Sequence, residues 1–138
     1  MKIVNTGRRA ARVILMQSLY AANMQECTIA DALEGAVNIS SDKYDHTYFS
    51  KVNDLMSDQK TLEINNIIRS KLDGDFNVIT KVELSVLQLA LYEYFNCTDV
   101  PSKVILNEAL EIAKSYGSND GHKLVNGVLD KVFQSHER

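Results

Sequence analysis

The run TKVELSVLQLALYEYF, Thr80 to Phe95, decides the fold class. Thr80 and Glu83 have the Thr-x-x-Glu spacing of a capping box, which marks a helix start. From Lys81 onward Val82, Leu84, Val86, Leu87, Leu89, Ala90, Leu91 and Tyr92 fall on every side of a 3.6-residue helix and leave almost no polar face. A helix that is apolar nearly all round has to be enclosed by others, so this one is predicted at the centre.

The flanking segments carry helical spacing too. Toward the C terminus, Asp99-Val100-Pro101 starts a helix with proline near its first turn, where a missing N–H costs nothing. Its core stripe is Ile105, Ala109, Ile112 and Tyr116, and Gly117 is read as a left-handed stop. Asp120 is placed to cap a last helix with Leu124, Val125, Val128, Leu129, Val132 and Phe133 inward. Toward the N terminus, Thr6 caps a helix over Gly7 to Met24, with Ala11, Leu15, Ser18, Leu19 and Ala22 on one side. Thr28 and Asp31 open a short helix with Ile29, Leu33 and Val37 buried, ended by the polar break Asn38 to Asp42. Tyr48, Val52, Leu55 and Met56 mark a third helix; Leu62, Ile64, Ile67, Ile68 and Leu72 mark a fourth, ended by Asp73-Gly74-Asp75. The expectation is an all-α fold of about seven helices.

At 138 residues, 45% hydrophobic and 24% charged, the chain has the size and balance of one folded domain, 1–138, without linker or internal repeat. It has no apolar run near the roughly 20 residues that span a bilayer and no segment resembling a signal peptide, so a cytoplasmic location is expected. Cys27 and Cys97 are too few for a disulfide scaffold and read as reduced packing residues.

Fifteen basic residues against eighteen acidic ones give a net charge of −3, unlike a protein that coats nucleic acid by bulk charge. The distribution is uneven: residues 1–25 carry Lys2, Arg8, Arg9 and Arg12 and no acid, residues 26–65 sum to −5 and the remainder to −2. Arg8, Arg9 and Arg12 fall within about a 100° arc near the positive end of the first helix. Guanidinium forks match phosphate geometry, so this arc is a candidate contact for a nucleic-acid backbone; an acidic protein patch or a solvated face are the alternatives.

No motif supplies catalysis: there is no phosphate-binding glycine loop with Lys-Ser/Thr, no dinucleotide fingerprint, no Gly-x-Ser-x-Gly and no His-Glu-x-x-His. His46, His122 and His136 do not cluster with the cysteines, so no metal or other cofactor is expected. Tyr92, Tyr94 and Phe95 read as packing rather than as a base-stacking platform, and Glu108 with Glu111 as a solvated face beside Lys114. Gly117 and Gly121 read as turn punctuation. Asn126-Gly127, inside the last helix, reads as close packing in preference to a ligand's approach, because glycine there costs about 1 kcal/mol relative to alanine.

Three separated motifs together resemble the NusB family of bacterial transcription antitermination factors. They are Arg9-x-x-Arg12 through Gln17-x-x-Tyr20, the run Glu83 to Glu93, and Asp99-Val-Pro-Ser-Lys-Val-Ile-Leu-Asn-Glu-Ala-Leu-Glu-Ile-Ala-Lys-Ser-Tyr-Gly117 continued by His122-Lys-Leu-Val-Asn-Gly-Val-Leu-Asp130. The likeness covers nearly the whole chain in order, with residues from roughly 30 to 75 poorly matched.

The resemblance implies two packed helical subdomains, no enzymatic activity, and an RNA-binding adaptor. Such proteins pair with NusE, also a small-subunit ribosomal protein. The pair binds boxA RNA within the antitermination complex of RNA polymerase, chiefly on ribosomal RNA operons. Carried over by position, Arg8, Arg9 and Arg12 lie at the RNA, Asp120 and Lys123 at the helix start that borders it, and Tyr20 and Glu83 at the NusE interface. Asp120, an acid, would limit RNA affinity. Ala10 stands where the family often has arginine and Leu124 where it often has an aromatic. The net charge agrees with modest, salt-sensitive RNA binding unless a partner adds basic surface.

Two other readings are a helical protein-interaction module without RNA binding and a stand-alone relative of the helical RNA-binding domain of ribosomal RNA cytosine methyltransferases. No cofactor-binding domain follows in this sequence, so a free-standing adaptor is expected. Monomer and homodimer stay open.

Overall fold

The computed structural model describes residues 7–25, 27–39, 43–136 and 138, without the side chains of residues 25 and 35–39. The cap expected of Thr6, the side chain of Val37 and most of the break at 38–42 lie outside the described residues.

Seven α-helices make up the described chain: α1 Gly7–Gln25, α2 Ile29–Ile39, α3 His46–Asn53, α4 Asp58–Lys71, α5 Lys81–Asn96, α6 Ser102–Tyr116 and α7 Gly121–Ser135, with one 3-10 turn at Phe76–Val78. Polar side chains start several of them. Asp45 Oδ1 accepts from Tyr48 N at 2.9 Å, Ser57 Oγ from Lys60 N at 3.1 Å, Thr28 Oγ1 from Asp31 N at 3.2 Å and Thr80 Oγ1 from Glu83 N at 3.4 Å.

Helix α5 is the axis, buried from Glu83 through Tyr94. The helices α1 and α3 pack on it and on each other, with α2 lying on α1; α4, α6 and α7 pack on it as a second set, α7 against both α4 and α6. One continuous core joins the two sets and includes Ile14, Leu19, Ile68, Leu87, Leu91, Ile112 and Leu129. Burying each such side chain contributes about 1.5–3 kcal/mol. The polar side chains inside α5 are also paired. Asn23 Nδ2 donates to Ser85 Oγ at 3.0 Å and to Gln88 Oε1 at 2.8 Å, and Gln88 Nε2 donates to Asn65 Oδ1 at 2.9 Å, tying α1 and α4 to the axis. Tyr92 is fully buried with its hydroxyl 2.8 Å from Ser57 O, and Tyr94 stacks on Phe133 at 4.3 Å between centroids, so neither is a base-stacking platform.

Several expectations need correction. Helix α3 ends at Asn53, and Leu55 and Met56 lie in the turn after it. Leu62 is 60% exposed, because it sits about 200° around the helix from Ile64, opposite the buried Ile64 and Ile68. Gly117 is not left-handed: its φ is −93°. A Cβ there would lie 2.7 Å from Ala113 O and 2.9 Å from Glu83 Oε1, so close approach, not backbone handedness, requires glycine. Asp120 holds the N-cap position of α7 without a side-chain cap bond. Gly127 faces open space, with nothing within 4 Å of a Cβ placed on it, so close packing does not explain it.

Candidate nucleic-acid interface

Helix α1 begins at Gly7, whose φ of +58° suits glycine because no Cβ crowds the carbonyl. Its N–H donates to Lys43 O and its carbonyl accepts from Asp45 N, both at 3.1 Å. This clasp sets the first turn of α1 beside the start of α3 and brings the three arginines against groups from α3, α5 and α6.

Arg8 is exposed; its guanidinium lies 4.6 Å above the Tyr48 ring centroid, and Nε is 3.9 Å from Asp45 Oδ2. Arg9 is half-buried, and its Nε and Nη2 donate to Glu108 Oε2, Nε at 3.0 Å. Arg12 is only 4% exposed. Its Nε donates to both carboxylate oxygens of Glu93, at 2.9 and 3.1 Å, and its Nη1 to Glu108 Oε1 at 3.0 Å. Tyr48 donates its hydroxyl to Glu93 Oε2.

The protonation states follow from these contacts. The hydrogen bond that Arg9 donates to Glu108, opposed by partial desolvation, keeps Arg9 more firmly protonated than usual. Burial works against the Arg12 charge, but the Glu93 carboxylate outweighs it and the net shift is upward. Burial first, and then the Glu93 charge, push the Tyr48 phenol far above its ordinary range.

The arc of three arginines therefore exists, but its members differ. Arg8 and Arg9 reach the surface; Arg12 is an interior cation with no face for a phosphate. Glu108, read from sequence as part of a solvated face, is instead the acid that bridges Arg9 and Arg12, a correction with a plain cause. It projects from α6 toward α1, where two guanidinium groups need a counter-charge. Asp45, Tyr48, Glu93 and Glu108 are the functional neighbours that sequence reasoning missed, since each comes from another element.

At the start of α7, Asp120 and Lys123 are both exposed and pair with each other at 3.3 Å. Tyr20 is half-buried against the core. Glu83 is 2% exposed and lies inside the fold. Its Oε1 accepts from Ser118 N at 3.0 Å and Ser118 Oγ at 2.7 Å. Gly121 makes room for that carboxylate, because a Cβ there would sit 1.6 Å from Oε1. Beside this loop an open groove of about 290 Å³ is lined by Leu72, Val78, Ile79, Leu124 and the Glu83–Gly121 contact. Among the described residues no group of histidine, cysteine, aspartate and glutamate is arranged to hold a metal ion, and no helix is long and apolar enough to cross a membrane.

The profile of the NusB family matches residues 9–134. The transcription antitermination protein NusB of Shewanella amazonensis is 37% identical over 126 residues, covering 91% of this chain and 93% of the relative. That of Pseudomonas fluorescens is 39% identical over 127 residues, covering 91% of this chain and 75% of the relative. Among solved structures, T. maritima NusB superposes with a TM-score of 0.82 at 28% identity, covering 100% of this chain and 96% of the other.

Proposed function

The chain belongs to the NusB family, a family of transcription antitermination factors and not of enzymes, and we propose that it acts as an RNA-binding adaptor. In this reading residues 1–138 form one domain that works in the cytoplasm. It pairs with NusE and binds boxA RNA, chiefly on ribosomal RNA operons, so that RNA polymerase resists termination. Arg8 and Arg9 meet the RNA backbone directly, Lys123 adds a cation at the start of α7, and Asp120 beside it weakens the contact. Arg12 acts behind them by fixing the first turns of α1. Tyr20 contributes to the NusE surface, and Glu83 acts on it through the Ser118–Gly121 loop that it holds.

The observation that carries this reading is the pair of surface-reaching guanidinium groups, Arg8 and Arg9, at the positive end of α1. Single-stranded boxA offers both phosphates and unstacked bases, and sequence preference would arise on the joint surface of two proteins. The test is a fluorescence-anisotropy titration of labelled boxA RNA and of a scrambled RNA of equal length, with and without NusE. Selective binding that NusE strengthens is expected. A folded chain that binds neither RNA, with or without NusE, overturns the reading in favour of a protein-interaction module.

A further inference from the structure

The first turns of α1 read +3 in sequence, yet each of the three guanidinium groups is held against a carboxylate from another element. Arg8 faces Asp45, Arg9 grips Glu108, and Arg12 is enclosed by Glu93 and Glu108. Three arginines meet three acids, so the surface offered to an anion is close to neutral. The acids are not equivalent. Glu93 is buried with Arg12, out of a phosphate's reach, whereas the side chains of Glu108 and Asp45 are 15% and 36% exposed and sit where the arginines emerge.

We infer that Asp45 and Glu108 are affinity-determining residues: they compete with RNA phosphates for Arg8 and Arg9 and hold the chain's own RNA affinity down. This rests on the RNA-binding reading above. A phosphate arriving at Arg9 meets a guanidinium whose Nε and Nη2 edge is already occupied, and it feels the nearby Glu108 charge. It must displace that carboxylate or bind through the remaining Nη1 edge against its repulsion. At Arg8 the contact to Asp45 is long, so repulsion is the main effect there. Binding becomes strong when a partner adds positive surface that offsets the two acids.

The neutral isosteres separate charge from structure. Asp45→Asn keeps an N-cap for α3, since asparagine caps as well as aspartate. Glu108→Gln keeps an acceptor for Arg12. With the full chain and a single-stranded boxA oligonucleotide, each variant is expected to bind about three- to tenfold tighter at low salt, with the gain shrinking as salt rises. The Glu108→Gln gain should shrink in an Arg9→Ala background, where no guanidinium is left to free, whereas the Asp45→Asn gain, which comes mainly from relieved repulsion, should largely persist in an Arg8→Ala background. RNA binding that depends on the arginines while neither neutral variant tightens it overturns this inference alone. If Glu108→Gln fails to fold, an unchanged affinity in Asp45→Asn does the same. A folded wild-type chain that binds no RNA overturns both this inference and the reading beneath it.

Discussion

Arg12 and Glu93, 81 residues apart, meet in the interior with the arginine Nε shared between both carboxylate oxygens at 2.9 and 3.1 Å. The contact locks α1 to the central helix. Removing one partner of a buried pair strands the other's charge, which costs about 3–5 kcal/mol. Arg12→Ala is therefore expected to lose that much stability in urea unfolding, a large part of the total for a domain of this size. Arg8→Ala, at the exposed end of the same helix, should lose at most about 1 kcal/mol.

Glu83 and Gly121 are expected to be coupled. Gly121→Ala puts a methyl group onto the Glu83 carboxylate and should destabilise by about 1–3 kcal/mol. In a Glu83→Ala background the same change should cost little, a coupling that a double-mutant cycle measures directly. Equal costs in both backgrounds would contradict the packing described here. Glu83→Lys should lower the melting temperature, because it brings an ammonium group to the backbone and hydroxyl donors of Ser118.

Gly127 lies on the open face of α7 with helical backbone and space for a side chain. Gly127→Ala is expected to stabilise the chain by about 0.5–1 kcal/mol, by removing glycine's conformational freedom from a helix interior. Thermal unfolding checks the sign. A stabilised variant that also binds RNA or NusE more weakly would show that the bare backbone is used by a ligand.

Tyr48 gives a pH dependence. Its phenol is raised in the folded state by burial and by Glu93, so unfolding releases a group that titrates near its ordinary value of 10. Below that value the contribution to stability is fully present. Above it the unfolded chain loses the proton while the folded chain keeps it, and stability falls as pH rises. Urea midpoints from pH 8 to 11 should decline less steeply for Tyr48→Phe than for the wild type.

The all-α class, the central helix and most helix starts are legible in sequence, because apolar spacing and capping residues are local. What is not legible is who pairs with whom. Arg12 carries the clearest missed signal: Leu15, Met16 and Leu19, three, four and seven residues on, are all buried, so the spacing itself puts Arg12 on the inward face. Glu108 carries part of the same signal, since Ile105 three residues before it and Ile112 four after it are buried, but the arginines it meets lie 96 and 99 residues away on another helix. Glu83 shows the same limit. Its N–H takes the Thr80 cap as the motif requires, but its side chain turns to Ser118 instead of completing the box. Gly117 and Gly121 were readable as a turn, but the carboxylate that forbids a Cβ at Gly121, and crowds one at Gly117 beside the Ala113 carbonyl, comes from α5.

The central claim is that α1 divides its arginines between a surface pair for RNA and an interior cation for the fold. The most direct measurement is the salt dependence of boxA affinity, with melting temperatures, for Arg8→Ala, Arg9→Ala and Arg12→Ala in the presence of NusE. The account predicts that Arg8→Ala and Arg9→Ala each weaken RNA binding and reduce the slope of log affinity against log salt by about 0.7 while the fold is kept. Arg12→Ala should instead lower the melting temperature. Wild-type affinity and slope in both surface variants, from folded protein, would contradict it.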